Sequence, residues 1–315
     1  FPTVAAFNDG TLAVSWLQEN TNIPYAYDIN IALSSNAGQT WGSPIVPHDD
    51  QSTRQHGFLT LLPTERDEMI AVWLDAREYN SQSPGDSFGN AVQLRSTTIG
   101  KDGTLGKDIP LDLRACSCCQ TSAAITEDGT VLIAYRDRTL DEIRDISIVR
   151  RHNGVWSGPV NVHADGWEIS GCPVNGPAID AQATDAVVAW FTGVDNIATI
   201  KVAFSEDSGV TFGPAFQVDS GESVGRVGTL MLATGDALIS WVEWTNGGEV
   251  LMLCRATKND GCIARQTITK HVAAGSFNFP KFARSGDTIY LAWTQPIDSK
   301  VGFSTIRMIV LDLSD

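Results

Sequence analysis

The chain has 315 residues, 43% of them hydrophobic and 19% charged, with a formal net charge of −15. Such a composition supports a large core and excludes a disordered chain. The negative charge excludes nucleic acid and anionic membrane surfaces as general partners, and no run reaches the ~20 apolar residues of a membrane span.

Taken in chain order, six units follow one another. The first opens at Phe1 with F-P-T-V-A-A, runs through D-G-T-L-A-V-S-W to Trp16, and continues as I-N-I-A-L. The second starts near His56 with H-G-F-L-T-L and passes through D-E-M-I-A-V-W to Trp73 and A-V-Q-L-R. The third starts near Cys118 and reaches Tyr135, the fourth near Cys172 and reaches Trp190. The fifth starts near Gly225 and reaches Trp241, the sixth near Phe279 and reaches Trp293. The marker aromatic therefore returns at 16, 73, 135, 190, 241 and 293, every 51 to 62 residues. A period of this length marks one supersecondary unit copied in tandem. Each copy opens on a turn pair and runs into β-branched and aromatic residues, a strand signal, with no helical periodicity between copies. The expectation is all-β: one six-bladed β-propeller over residues 1–315, with antiparallel four-stranded blades and the marker aromatics in the core. The sixth unit ends soon after its third strand, so either the sixth blade is short or residues ahead of Phe1 belong to it.

Two turns are sharper than the rest. Residues 34–41 (S-S-N-A-G-Q-T-W) and 205–212 (S-E-D-S-G-V-T-F) share the pattern S-x-D/N-x-G-x-T-W/F. Asn36 and Asp207 are placed to accept turn N–H groups, Gly38 and Gly209 to supply a positive φ, and the aromatic to plug between strands.

Strand register identifies a candidate site. Side chains two apart on a strand share a face, so the residues two past each marker, Gln18, Asp75, Asp137, Thr192, Glu243 and Gln295, are expected to be equivalent. Asp75, Asp137 and Glu243 are the candidate acids. Arg77, Arg136, Arg138 and Arg144 lie around them, and the first strands contribute His56, Asn175, Arg226 and Lys281. One such segment per blade would gather arginine and carboxylate at one mouth, suited to an acidic, hydroxylated ligand. Alternatively, Asp75–Arg77 and Asp137–Arg138 are structural ion pairs. Trp167 is either a sugar-stacking platform or a packed loop anchor.

Six cysteines, Cys116, Cys118, Cys119, Cys172, Cys254 and Cys262, fit an oxidising compartment. Cys254 and Cys262 flank a hairpin tip and are expected to bridge it. For the others, Cys116 or Cys118 pairs with Cys172, with a vicinal Cys118–Cys119 bridge as a further option. If reduced, three or four of Cys116, Cys118, Cys119 and Cys172, with Cys118, Cys119 and Cys172 foremost and His56 or His163 beside them, would instead suit copper or zinc; otherwise no cofactor is expected. The abrupt start at Phe1 reads as a processed protein, secreted, periplasmic or at the cell surface. Serine-elbow, zincin and phosphate-loop motifs are absent.

The repeat and the two turns resemble the sialidase (neuraminidase) superfamily and its BNR or Asp-box repeat. The resemblance implies a six-bladed propeller that binds or hydrolyses a terminal acidic sugar, through arginines for the carboxylate, an Asp acid/base and a Tyr nucleophile. Arg226 in G-R-V matches one arginine; the position before F-P-T falls ahead of Phe1; the expected tyrosine is replaced in N-F-P-K-F by Lys281. The alternatives are a non-catalytic propeller that binds glycan or protein, and a copper- or zinc-binding one.

Overall fold

The computed structural model describes residues 2–19, 26–79, 91–271, 278–297 and 303–311. Its strands form six consecutive antiparallel sheets, one per sequence unit, the blade arrangement of the six-bladed β-propeller class. The first sheet has strands Thr3–Ala6, Leu12–Glu19 and Tyr27–Ser34. The second has His56–Pro63, Glu68–Asp75, Val92–Gly100 and Ile109–Ala115. In the third, Ser122–Ile125, Val131–Arg136 and Ile146–His152 are followed by Val155–Trp156 and Val160–Asn161, both paired with Ile146–His152. The fourth has Ala178–Gln182, Asp185–Thr192, Thr199–Ser205 and Phe216–Gln217; the fifth Ser223–Met231, Ala237–Thr245, Gly248–Thr257 and Gly261–His271. Among the described residues the sixth has Lys281–Ser285, Thr288–Pro296 and Ser304–Leu311. Among the described residues the only helical piece is a 3₁₀ turn, Val194–Asn196.

By internal contacts the chain divides into two compact units, each holding three sheets. One comprises Phe1–Ile125, Gly129–Asn161 and Glu168–Val174; the other comprises Thr126–Asp128, Val162–Trp167 and Asn175–Asp315. Within the first, Trp73 packs with Ile29, Ile31 and Leu61, and Tyr135 with Val72, Leu94 and Val149. Within the second, Trp241 packs with Val187, Val202 and Val250, and Trp293 with Val242 and Leu251. Core therefore forms between neighbouring sheets, because one strand face cannot be buried within its own sheet. Trp16 is the exception among the six markers: it is half-buried.

Two units begin later than the sequence implies, at Ser122 rather than near Cys118 and at Ala178 rather than near Cys172. Pro173 and Pro177 cannot donate to a ladder, and residues 117–119 form a turn, so both cysteine segments are connections rather than strands. The turns at 34–41 and 205–212 carry matching hydrogen bonds. Gly38 N donates to Ser34 Oγ and Thr40 N to Asn36 Oδ1, each at 2.9 Å. Gly209 N donates to Ser205 Oγ and Thr211 N to Asp207 Oδ1 at the same distance. Gly38 and Gly209 have φ of 82° and 73°. Trp41 does not plug between strands; it is exposed and lies over Gly38.

Candidate functional site

One charged cluster is built on the third sheet. The run V-L-I-A-Y-R forms the fully buried strand Val131–Arg136, and its continuation keeps contact with the preceding sheet through a bridge between Ala115 and Asp137. This bridge carries Arg114 and Cys116 beside Asp137. The chain then turns sharply: Thr139 N–H donates to Ile143 O and Thr139 Oγ1 accepts from Ile143 N, each at 3.0 Å. Glu142, at φ 61°, is thereby set between two arginines.

Those arginines converge on it. Arg138 Nη2 reaches Glu142 Oε1 at 2.6 Å and Arg144 Nη2 reaches Oε2 at 2.7 Å, while Arg114 Nη2 stands 3.9 Å from Oε1. Burial alone would raise the Glu142 carboxyl, but hydrogen bonds from Arg138 and Arg144 hold it down to about 2. Burial, then repulsion from Arg138, lowers Arg114. Three guanidinium groups thus face Glu142, and Asp137 also acts on Arg114. Arg136 is buried, and its Nη1 donates to Arg144 O at 2.6 Å, which braces the turn from inside.

Asp137 lies beside this group, half-buried. Burial, followed by the nearby Asp112 carboxylate, pushes it up to about 6. It accepts from the Arg138 N–H at 2.6 Å and from Ser147 Oγ at 3.0 Å. Tyr135 OH donates to Asp112. A carboxyl ionising near neutrality is able to hold and release a proton at working pH.

Asp75, His56 and Arg77 belong to a second network in the same unit. His56 stands opposite Asp75 in the sheet, and both side chains are fully buried. Arg77 Nε and Nη2 donate to Asp75, Nη2 also to Asp108 at 2.6 Å, and Nη1 to Asp49 at 3.0 Å. Burial opposes ionisation of Asp75, but Arg77, His56 and Trp73 together hold it below the usual carboxylate range. His56 Nε2 lies 3.1 Å from Asp50, and its ring stacks on His48 with centroids 3.6 Å apart. Asp75 thus has the environment of a permanently charged structural group.

In the second unit Glu243 is buried and accepts from Trp241 Nε1 at 2.8 Å. Arg226 lies at φ 57° in an irregular stretch between Gly225 and Gly228; Phe58, at φ 54°, holds the corresponding place in the second sheet. Asn175 Oδ1 accepts the Arg226 N–H at 3.0 Å, and the Arg226 guanidinium lies 5.8 Å from the Phe279 ring centre. Lys281 opens its strand; much of the residue reaches solvent, but packing around its ammonium lowers it below the usual lysine range. Trp167 is a packed anchor: it is buried edge-on to Phe191 and covers Gly193.

The cysteines correct part of the sequence expectation. Disulfides join Cys118 to Cys172 and Cys254 to Cys262. Cys116 and Cys119 are unbonded and buried, and no vicinal Cys118–Cys119 bridge forms, because Cys118 is already bonded to Cys172. Cys116 Sγ lies 3.4 Å from Cys119 Sγ, 3.7 Å from Cys118 Sγ and 3.4 Å from Arg144 Nη1. Contact with Cys119 is the main cause that lowers the Cys116 thiol to about 6, with further help from Arg144 and Arg136.

Sequence reading missed Glu142, Arg114 and Asp112. Glu142 in R-T-L-D-E-I-R lay between two arginines and was legible as a turn carboxylate; Arg114 and Asp112 belong to the previous sheet and carried no motif. His48 and Asp50 were also passed over, since only folding brings them to His56.

No family model matches the chain, and no curated protein does. Solved structures do. A protein of unknown function from Dyadobacter fermentans superposes with a TM-score of 0.61 at 14% identity, covering 98% of this chain and 93% of that one. The NanB sialidase from Streptococcus pneumoniae, in complex with 2-[(3-chlorobenzyl)ammonio]ethanesulfonate, gives 0.60 at 11% identity, over 99% of this chain and 68% of that one. The α-L-arabinofuranosidase Arb93A from Fusarium graminearum, in complex with an iminosugar inhibitor, gives 0.59 at 13%, over 100% and 93%. At these identities the likeness establishes the six-bladed propeller fold.

Proposed function

We propose that this chain is a glycan-handling propeller of an oxidising, extracytoplasmic compartment, and that Arg114, Arg138 and Arg144 hold the anionic group of an acidic carbohydrate. The observation that carries this reading is three guanidinium groups gathered on the single carboxylate of Glu142. A ligand carboxylate or sulfate would gain charge-assisted, bidentate contacts from these arginines. Asp137, poised near pH 6 beside them, is the group that would donate a proton to a glycosidic oxygen. The two disulfides and the sialidase and arabinofuranosidase likenesses support compartment and ligand class; the matched turns at 34–41 and 205–212 fit the Asp-box reading.

Calorimetric titration with acidic and neutral oligosaccharides tests this. Acidic ligands should bind, neutral ones should not, and Arg138→Ala should weaken binding by tenfold or more, about 1.4 kcal/mol. Equal binding of both classes, or none of either, would sink it.

Binding without turnover is the second reading, and Lys281 in place of a nucleophilic tyrosine favours it. A lysine is a poor nucleophile while it stays protonated, although burial lowers Lys281 below the usual lysine range. Little or no hydrolysis of simple aryl sialosides is expected; robust turnover lost on mutating a tyrosine would restore the plain sialidase reading.

A further inference from the structure

The four clustered cysteines form a chemical system that glycan binding does not use. The Cys118–Cys172 bridge is reachable from solvent: Cys172 is exposed and Cys118 half-buried. Behind it, Cys116 and Cys119 are thiols with 0% and 2% exposure. The Sγ atoms of Cys116, Cys118 and Cys119 all lie within 4.8 Å of one another. Arg144 and the buried Arg136 face Cys116 and favour its thiolate, which is the attacking form in thiol–disulfide exchange.

We propose that this is a redox-active four-cysteine site, in which the buried Cys116–Cys119 dithiol passes two electrons to the exposed Cys118–Cys172 disulfide. In the first step the Cys116 thiolate attacks Cys118 Sγ. A Cys116–Cys118 bond forms, the Cys118–Cys172 bond breaks, and Cys172 leaves as thiolate and takes up a proton. In the second step Cys119, losing its proton, attacks Cys116 Sγ; Cys116–Cys119 forms and Cys118 leaves as thiolate. The buried pair is oxidised, the outer pair is reduced, and no external oxidant is consumed. The outcome presents reduced Cys118 and exposed Cys172 to a partner disulfide of low molecular weight or on another protein, and it unties residues 168–174 from Cys118.

The diagnostic atom is Cys172 Sγ, bonded before exchange and free after either step. Arginines between residues 136 and 151 place it on a different tryptic peptide from Cys116, Cys118 and Cys119. Native protein at pH 7.5, free of added thiol, is incubated with excess iodoacetamide, which removes the exposed Cys172 thiolate as it appears; peptides are then mapped by mass spectrometry. Cys172 should become alkylated, at least tenfold faster in the native chain than in Cys116→Ser. Cys119→Ser should still alkylate at Cys172, because the first step needs only Cys116. If Cys116→Ser fails to fold, the native chain and Cys119→Ser decide the matter. Absence of Cys172 alkylation in the native chain over days overturns the proposal, as does an equal rate in a folded Cys116→Ser.

Discussion

The indole Nε1 of Trp73 donates to Asp75 Oδ2, two residues along the same strand, at 2.8 Å. Trp241 makes the same bond to Glu243 at 2.8 Å, and Trp293 to Gln295 at 3.1 Å. The residue two past the marker aromatic is thus, in three sheets, the partner that lets a tryptophan be buried without an orphaned N–H. Glu243→Ala should therefore lower stability by about 1–3 kcal/mol, since a buried donor loses its acceptor. Glu243→Gln should retain most of it, as Gln295 does in the sixth sheet. Denaturant unfolding of both variants checks this, and equal losses would contradict it.

In the fourth sheet Trp190 is satisfied otherwise, by Asp165 from a neighbouring loop at 2.6 Å, and Thr192 stands two past it. In the third sheet Tyr135 turns to Asp112 instead. Asp137 is thereby left without the acceptor role that Asp75 and Glu243 fill. Its folded pKa of about 6 lies above its ordinary value of 3.8. The folded state therefore binds the proton more tightly, and this contribution to stability is complete below about pH 4 and lost as pH rises through 6. Asp137→Asn should remove that pH dependence, seen as a flatter stability curve between pH 4 and 7. If the chain turns over a glycoside, the same group should give a limb near pH 6 on the alkaline side, where the acid is lost.

Glu142 has the opposite sign. Its folded value of about 2 lies below its ordinary 4.5. Its pairing with Arg138 and Arg144 contributes stability that is present above about pH 4.5 and lost as pH falls toward 2. Glu142→Gln should flatten thermal stability across that window. By removing one anion that competes for the arginines, it should also tighten binding of an acidic oligosaccharide at pH 7. Weaker binding in a folded variant would show that Glu142 contacts the ligand favourably.

The turn at 205–212 should behave as a local fastener. Asp207 accepts from Thr211 N, Thr211 Oγ1 and Ser205 Oγ. Asp207→Ala should cost on the order of 1 kcal/mol in unfolding experiments. Ligand binding per folded molecule should not change.

Gly225 is irreplaceable for two reasons. Its φ is 98°, and a Cβ there would come within 2.2 Å of Asn175 Oδ1. Gly225→Ala should cost on the order of 1–3 kcal/mol and break the Asn175 contact to the Arg226 N–H. The loss of amide protection at Arg226 in hydrogen exchange would report it.

The period of the markers, the turn pairs and the S-x-D/N-x-G-x-T pattern are local properties of the chain. A strand's register and a turn's φ are set within a few residues, so six sheets and the two matched turns were legible in the amino-acid order alone. So was the hairpin disulfide Cys254–Cys262, eight residues apart. The meaning of the residues two past each marker was not. Asp75, Asp137 and Glu243 occupy equivalent positions, yet one is locked by an arginine and an indole, one is pushed up by burial and by another carboxylate, and one serves an indole. Asp108, which shares Arg77 with Asp75, and Asp112, which faces Asp137, arrive from other segments of the chain. The pairing of Cys118 with Cys172 across 54 residues, and the seclusion of Cys116 and Cys119 behind it, were likewise decided by tertiary structure. Charge and redox state depend on distances of a few ångströms and on exclusion of water, and these exist only once the strands have packed.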